Sequence, residues 1–366
     1  MKLTVVYGPE TKETQKSQMP QRFSPPSKPH KKAKTEAEKT SRKRQRKNSP
    51  NKGQRRTKNE NSHKRRKGRK NMYGIEVEFN NITRKDAAEV IRATLNGTIN
   101  NSVSETYPYY KRIVIDQQGR EWTITKDSSI AGPFEEKCEL ATPPLTEADL
   151  PTLQAVIEAL KAAGAKSSNE RGCGIHLHLS SDSHSLQSIR NFCNIFAAHE
   201  DQLFKAFEVN DERRAHYCRN TEKDFIERLN KKKPATIEKL ADIWYETNGG
   251  SSDRDNHYNI SRYHALNLHA LFSRYMTIEI RLGQFTEATS MDWIVLKSFI
   301  LLCLAMDKKA KEVTTASPKR QADWKSAYSF RCWLLRLGFI GEETKDVRKF
   351  LLRSFEGDKA WKRMAA

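Results

Sequence analysis

The amino-acid sequence predicts an α+β domain with a largely antiparallel sheet, preceded by a disordered basic tail. Segments that alternate apolar and polar residues are separated by helical patterns of varied length, and one pair of segments is spaced as a hairpin. The composition also changes sharply near residue 70. We therefore assign residues 1–70 to the tail and residues 71–366 to one folded domain, with its motifs in 72–299 and a C-terminal helical part in 300–366.

The tail carries most of the formal charge of the protein. Residues 28–70 contain 20 Lys or Arg and 3 Glu, so they contribute +17 of the net +21, and the rest of the chain is close to neutral. The segment has two alanines as its only apolar side chains, so it cannot bury enough surface to offset the entropy of folding. Its basic runs would attract a polyanion by counterion release. A nuclear-import signal, a nucleic-acid-binding arm and a solubilising linker are all compatible with this composition.

Cysteine usage and hydropathy indicate a soluble intracellular protein, in the cytoplasm or the nucleus. The six cysteines are widely scattered and form no Cys-x-x-Cys pair, which argues against a zinc knuckle or a disulfide framework and favours reduced thiols. The first ten residues hold too short an apolar run for a signal peptide. The most apolar stretch, residues 293–306, is too short to span a bilayer and contains Lys297, so we expect no membrane partner.

The elements of the domain can be placed in order along the chain. Residues 73–79 alternate as a strand, and residues 111–125 are predicted to form a hairpin. Thr146 and Asp149 are predicted to form a capping box at the start of the second helix. Helical patterns occupy residues 84–96, 147–163, 185–207, 236–245, 262–272, 291–313, 322–337 and 344–355. The rest of residues 208–259 is polar and is predicted to be irregular.

Three of the strands share one design. Each alternates apolar residues on one face with charged or imidazole side chains on the other. The polar positions are Glu76 and Glu78 in the first strand, His176 and His178 in the second, and Glu279 and Arg281 in the third. One such strand alone is more often an ordinary solvated face. Three together, however, offer ligands for a hard divalent cation and one guanidinium that can bind an anion.

A further carboxylate, Glu139, lies in the segment Cys-Glu-Leu-Ala-Thr-Pro-Pro at residues 138–144. The double proline ends the strand, so Glu139 lies near a strand edge, where a ligand could bind. A carboxylate that protects an edge strand against aggregation is an equally good interpretation of Glu139 alone. If all these strands belong to one sheet, helices cover its apolar face, and the opposite face gathers carboxylates, imidazoles and a guanidinium.

This collection of side chains suits phosphoryl transfer. Activation of a carboxylate for attack by an amine brings a triphosphate, a carboxylate and an anionic transition state together. Magnesium ions held by Glu clusters would offset that charge and align the phosphates, and an Arg fork would steady the transferred phosphoryl group. Such a site needs no Ser or Cys nucleophile.

Several short motifs resemble those of a known enzyme superfamily. Gly-x-Glu-x-Glu-Phe, Gly-x-Gly-x-His-x-His and Glu-x-Arg resemble motifs of glutamine synthetases, and they occupy residues 74–79, 172–178 and 279–281. Residues 127–130, 138–144 and 262–268 resemble one family of the same superfamily, the amidoligase family. That superfamily comprises carboxylate–amine ligases similar to glutamine synthetase and glutamate–cysteine ligase. The resemblance implies a curved, largely antiparallel sheet with helices packed on one face, similar to the glutamine synthetase catalytic domain.

The resemblance also implies two metal sites. Glu76, His176 and Glu279 would share one Mg²⁺ ion, and Glu78 and Glu139 would hold another. Glu76 and Glu279, together with the arginine of the Glu-x-Arg motif, would be the catalytic residues.

Further roles at the nucleotide and the substrate follow from the same resemblance. His178 would lie near the phosphates of ATP, and Arg281 would contact the γ-phosphoryl group. Arg262, with Asn267 beside it, would meet a substrate carboxylate. Asp127 is the candidate for an additional carboxylate on the second metal.

We therefore expect an ATP- and Mg²⁺-dependent carboxylate–amine ligase that forms an amide or peptide-like bond through an acyl phosphate. Its partners would be a carboxylate and an amine, each a small molecule, a peptide or a protein, and residues 28–70 could also bind nucleic acid or another polyanion. The alternative is a metal-dependent nuclease or a nucleic-acid-binding protein that uses the basic tail, although the near-neutral body disfavours it. A third hypothesis is a non-enzymatic binding module built on a ligase fold.

Overall fold

The computed structural model describes residues 71–100 and 110–360 of the chain. Within these residues the strands are β1 Tyr73–Phe79, β2 Thr98–Ile99, β3 Arg112–Ile115, β4 Glu121–Thr125, β5 Cys138–Ala141, β6 Ile175–Ser180, β7 Leu266–Asn267 and β8 Thr277–Gly283. They form one eight-stranded sheet in the spatial order β2-β3-β4-β5-β1-β6-β8-β7. The strand that opens the domain therefore lies near the middle of the sheet.

The pairings of these strands confirm the predicted α+β class. Each pair of neighbouring strands is antiparallel, and the sheet is open, with β2 and β7 at its edges. The predicted hairpin is also confirmed, because β3 and β4 pair from Arg112 with Ile124 to Ile115 with Glu121.

Helices connect and pack against the strands of this sheet. In the described residues they are α1 Arg84–Thr94, α2 Leu150–Ala162, α3 Leu186–Ala206, α4 Asp211–His216, α5 Lys223–Lys232, α6 Ile237–Asn248, α7 His269–Phe272, α8 Trp293–Glu312, α9 Ala327–Arg336 and α10 Lys345–Leu351. The side chain of Thr83 caps α1 by accepting a hydrogen bond from the Asp86 amide. Thr146 and Asp149 form the predicted capping box, but the first turn is a 3₁₀ turn, so α2 begins three residues later than predicted.

The apolar face of the sheet forms the core. Val77, Ile175 and Ile280 on this face are completely buried. Helix α8 packs on β6 and β8, and α1 packs on β3 and β4. Each Å² of apolar surface buried in this way contributes roughly 25 cal/mol to the stability of the fold. Helices therefore pack on the apolar face, and the charged side chains lie on the opposite face.

Two predicted elements are wrong. Residues 262–272 do not form one helix, because a 3₁₀ turn at Ile260–Arg262 is followed by β7 and then by the single turn α7. Pairing of β7 with β8 overrides the helical spacing of the sequence. Residues 208–259 are not an irregular loop, because they contain α4 and α5 in addition to α6.

Three further predictions concern the basic tail, membrane-spanning helices and the cysteines. The predicted disordered tail, residues 1–70, lies outside the described residues. No helix within residues 71–100 and 110–360 is both long and apolar enough to cross a membrane. All six cysteines fall within the described residues, and each is a free thiol.

His199 makes the fold sensitive to acid. Its ring stacks on that of Trp333, with the centroids 3.8 Å apart, and its Nδ1 lies 2.7 Å from Oε1 of Gln202. Burial lowers the pKa of His199 from 6.5 to about 4. The folded state therefore binds this proton more weakly than the unfolded state does. The stability that neutral His199 contributes is present above pH 6.5 and is lost as the pH falls toward 4.

We expect this group to lower the free energy of unfolding by about 2 kcal/mol between pH 7 and pH 5. Denaturant unfolding at the two pH values measures the loss. His199→Phe keeps the stack on Trp333 but cannot be protonated, so its loss should be smaller than that of the wild type. His216→Phe, at an exposed position, should match the wild type. An unchanged pH dependence in His199→Phe would contradict this assignment.

Candidate functional site

The sheet brings the predicted polar residues together on one face. The facing residues on neighbouring strands are Glu78 with Glu139, Glu76 with His176, and His178 with Glu279. Alternation within each strand turns these side chains to the face opposite the core. Four adjacent strands, β5, β1, β6 and β8, therefore contribute to one polar surface.

Glu76, His178 and Glu279 form the first group of potential ligands, here called the Glu279 cluster. Their ligand atoms all lie within 4.8 Å of one another. Nε2 of His178 lies 3.3 Å from Oε1 of Glu76 and 4.0 Å from Oε1 of Glu279. This nitrogen is buried between the two carboxylates, whereas Nδ1 lies 3.0 Å from Oγ1 of Thr277. Burial opposes protonation of His178, but the charges of Glu76 and Glu279 outweigh it and raise its pKa. A buried ring nitrogen between two carboxylates suits a cation ligand.

Glu78, Asp127 and Glu139 form the second group, here called the Glu139 cluster. Their carboxylate oxygens also lie within 4.8 Å of one another. The interpretation of Glu139 as an edge-strand residue is excluded, because β5 pairs with β4 on one side and with β1 on the other. Asp127, predicted only as an additional carboxylate, lies with the two glutamates.

His176 lies between the two clusters. Its Nδ1 is 3.2 Å from Oε2 of Glu76, and its Nε2 is 3.8 Å from Oε1 of Glu78. The resemblance grouped His176 with Glu76 and Glu279, but the strand register places His178 opposite Glu279 instead. His176 is thus a bridge between the clusters in this arrangement.

The loop that carries Asp127 is held in place by a glycine. Gly172 has φ 70°, and a Cβ at this position would lie 2.6 Å from the carbonyl oxygen of Ser129. The Ala131 amide donates to the carbonyl of Arg171 at 2.8 Å. Asp127 then accepts hydrogen bonds from the amide and the hydroxyl of Ser129, at 2.6 and 2.7 Å. These contacts fix the carboxylate beside those of Glu78 and Glu139.

The pKa values of Glu139 and Glu279 are shifted in opposite directions. Burial, followed by repulsion from Glu76 and Glu78, raises the pKa of Glu139 well above 4.5. Burial also acts against ionisation of Glu279, but the charge of Arg281 outweighs it and lowers the pKa of Glu279 to about 2. Glu279 is therefore ionised at neutral pH, whereas Glu139 resists ionisation until a cation relieves the repulsion.

Arg281 and Asn267 both hold Glu279. Nη1 of Arg281 donates to Oε1 of Glu279, and Nδ2 of Asn267 donates to Oε2 at 2.6 Å. Arg281 is buried, and its Nε has no hydrogen-bond partner among the described residues. Asn267, which the resemblance placed beside a substrate carboxylate, thus orients a cluster residue here.

Arg262 contacts two residues of the segment before the Ile260–Arg262 turn, His257 and Tyr258. Its guanidinium donates to the carbonyl of His257 at 3.0 Å and lies 5.7 Å from the ring centroid of Tyr258. Burial and the charge of Arg262 lower the pKa of His257, while Glu279 and Glu76 act in the opposite direction. The charge of Arg262 and those of Glu279 and Glu76 therefore all act on His257, and Arg262 is partly exposed to solvent.

One buried arginine of the site was missed by the sequence analysis. The guanidinium of Arg213, on α4, donates to the carbonyls of Cys173 and Arg281, at 3.2 and 3.0 Å. It was missed because its stretch of sequence was interpreted as irregular and because its acceptors are backbone carbonyls, which leave no pattern of side chains.

Both clusters fit Mg²⁺. Carboxylate oxygens are the ligands that this hard cation prefers, and the buried Nε2 of His178 adds an imidazole to the Glu279 cluster. A divalent cation would also remove the repulsion that raises the pKa of Glu139.

Comparison with known protein families gives a match over most of the folded domain. The family described as "putative amidoligase enzyme" matches residues 69–301, a span that contains both clusters and the eight strands β1 to β8. No curated protein matches the chain. The match covers more than half of the 366 residues. The chain therefore belongs to this amidoligase family, whose description supports a ligase activity.

Proposed function

We propose that the protein is an ATP- and Mg²⁺-dependent carboxylate–amine ligase that forms an amide through an acyl phosphate. One observation supports this above the others. Two clusters of carboxyl and imidazole ligands lie side by side, joined by His176, on a surface that also holds the buried cation Arg281. Family membership supports the ligase class. Phosphoryl transfer uses this combination of cation-binding groups and a guanidinium.

The proposed reaction has two steps. An oxygen of the substrate carboxylate attacks the γ-phosphorus of ATP, and the bond from that phosphorus to the β,γ-bridging oxygen breaks, which releases ADP. The amine then attacks the acyl carbon, the bond from that carbon to the phosphate oxygen breaks, and phosphate leaves with the electron pair. The amine proton passes to solvent. Amide, ADP and phosphate are the products.

The residues of the two clusters would have different roles in this reaction. The Glu279 cluster would hold one Mg²⁺ ion and the Glu139 cluster another, with His176 between them. Bound magnesium would offset the charge of the phosphates and align them. Arg281 would contact the γ-phosphoryl group, as predicted, and Glu279 would hold its guanidinium in place.

Arg262 would bind the substrate carboxylate. Arg262 is partly exposed and stacks near Tyr258, so its guanidinium is available to a substrate carboxylate. Asn267 would act on Glu279 rather than on the substrate. The basic segment 28–70 would add a polyanion as a further partner.

The proposal predicts amine-dependent release of ADP that requires Glu76. The full-length protein, Mg²⁺, ATP, a pool of carboxylates and a pool of amines are incubated, and ADP is measured with and without the amines. Glu76→Ala should lower the release by at least about 100-fold, because it removes a ligand of the Glu279 cluster.

Glu89→Ala is a matched control on an exposed face of α1 and should behave as the wild type. Full ADP release by Glu76→Ala would contradict the proposed site. Cleavage of DNA or RNA with Mg²⁺, without any amine-dependent ADP release, would favour the nuclease alternative.

A further inference from the structure

The ladder between β6 and β8 is irregular beside Arg281. Ile175 pairs with Gly283, whereas Leu177 pairs with Ile280, so two steps along β6 correspond to three steps along β8. The extra residue of β8 is a β-bulge at the level of His176. Bulges re-aim side chains and leave backbone groups without their ladder partners. This bulge therefore affects how Arg281 points into the site.

Arg213 binds the backbone at the bulge. Nη2 of Arg213 donates to the carbonyl of Arg281 at 3.0 Å, and Nη1 donates to the carbonyl of Cys173 at 3.2 Å. One carbonyl belongs to β8 and the other to the loop before β6. The planar fork of the guanidinium thus joins the two chain segments whose ladder is interrupted. The amide of Arg281 donates to the carbonyl of Ala265 at 2.8 Å, which fixes the residue from the other side.

The same guanidinium lies directly over Gly174. A Cβ at position 174 would lie 2.7 Å from Cζ of Arg213, closer than carbon atoms can approach, so the arginine fits only because the residue is glycine. The amide of Gly174 donates to Oε2 of Glu78 at 2.6 Å. Arg213 is therefore connected to Glu78 through Gly174 and to Arg281 through its carbonyl.

The burial of this arginine is costly. Arg213 is 9% exposed, no described carboxylate lies within 4.0 Å of its guanidinium, and its Nε has no hydrogen-bond partner among the described residues. A buried charge without a direct counter-ion destabilises a fold unless something compensates for it. Here the fold retains it at the only described β-bulge of the β6–β8 ladder.

We propose that Arg213 is a positioning residue of the site, which sets the direction of Arg281 and holds the Gly174 amide against Glu78. The proposal rests on the proposed function in so far as Arg281 and Glu78 act in the ligase reaction. Lysine cannot replace this arginine, because one ammonium group cannot hold two carbonyls of different segments in a fixed plane.

The test measures amine-dependent ADP release by Arg213→Lys, Arg213→Ala, Gly174→Ala and the double variant. Arg213→Lys should lower kcat by about 10- to 100-fold, with KM for the carboxylate changed by less than about threefold. Guanidinium ion at millimolar concentration should restore part of the activity of Arg213→Ala. Gly174→Ala displaces the guanidinium of Arg213. The double variant should therefore be about as active as Arg213→Ala alone.

Arg214→Lys is the matched control, because Arg214 pairs with Asp201 outside both clusters. An unchanged kcat in Arg213→Lys, or losses that multiply in the double variant, would overturn the assignment. Mn²⁺ affinity of the same variants, measured by calorimetry, separates this result from the proposed function. If the wild type binds Mn²⁺ but releases no ADP, the ligase proposal fails. In that case, the positioning role is still supported if the double variant binds Mn²⁺ about as well as Arg213→Ala alone. If the losses of Mn²⁺ affinity multiply in the double variant, the positioning role is overturned.

Discussion

Arg281→Lys is expected to lower amine-dependent ADP release by about 100- to 1,000-fold while the protein stays folded. Lysine keeps the positive charge that Glu279 requires, so the buried carboxylate is not left alone. It loses the planar fork, and one ammonium group cannot hold Glu279 and also reach a phosphoryl group. Steady-state kinetics with ATP and the carboxylate varied separately measure the loss, which should fall mainly on kcat.

Two further variants serve as comparisons for Arg281→Lys. Arg281→Ala removes the main counter-charge of the buried Glu279, so it should also lower the free energy of unfolding by about 3–5 kcal/mol. Arg228→Lys changes an arginine that pairs with Asp224 on the surface of α5, and it should change neither quantity. If Arg281→Lys turned over as fast as the wild type, a role for Arg281 at the phosphoryl group would be ruled out.

Glu139→Gln is expected to abolish turnover and yet stabilise the metal-free protein. The pKa of Glu139 is raised above its usual 4.5 by burial and by the neighbouring carboxylates. A raised folded pKa means that the metal-free fold loses stability as the pH rises from 4.5 through the folded value. Glutamine has no proton to lose, so at pH 7.5 the variant should gain about 1 kcal/mol in free energy of unfolding.

The same substitution removes a ligand from the Glu139 cluster. Mg²⁺ should therefore raise the melting temperature of Glu139→Gln less than that of the wild type, and ADP release should fall by at least about 100-fold. Glu121→Gln, at an exposed position of β4, serves as the control. A metal-free Glu139→Gln protein that is less stable than the wild type would contradict the repulsion inferred in this cluster.

The fold class and the polar face of the sheet were predictable because they depend on local pattern. Alternation in residues 74–79 fixes which side of the strand Glu76 and Glu78 occupy, whatever the strand pairs with. The same holds for His176 and His178. Convergence of these residues on one surface then requires only that the strands share a sheet, which they do.

The grouping of these residues was harder to predict, because it depends on register. His178, not His176, joins Glu279, since Leu177 pairs with Ile280 after a bulge that no local pattern indicates. The number of residues between strands does not determine such a shift. Asp127 joined its cluster through a loop whose path depends on the close approach allowed by Gly172.

The segment after α3 shows a different limit. Phe225 and Leu229 are spaced as one face of a helix, so α5 could have been inferred from the sequence. Arg213 could not, because α4 is only six residues long and its arginine binds carbonyls that are distant in sequence. The helical interpretation of residues 262–272 was also wrong because of a contact distant in sequence, since pairing with β8 decided the conformation of β7.

Isotope transfer tests the ligase proposal most directly. Carboxylates labelled with ¹⁸O in both oxygens are incubated with the full-length protein, Mg²⁺, unlabelled ATP and amines, and the phosphate and the amide are analysed by mass spectrometry. We predict one ¹⁸O atom in each phosphate released, together with ADP and an amide that retains the other ¹⁸O, and no such products with Glu76→Ala. Phosphate without ¹⁸O, or formation of AMP and pyrophosphate, would show that the carboxylate is not activated by transfer of the γ-phosphoryl group.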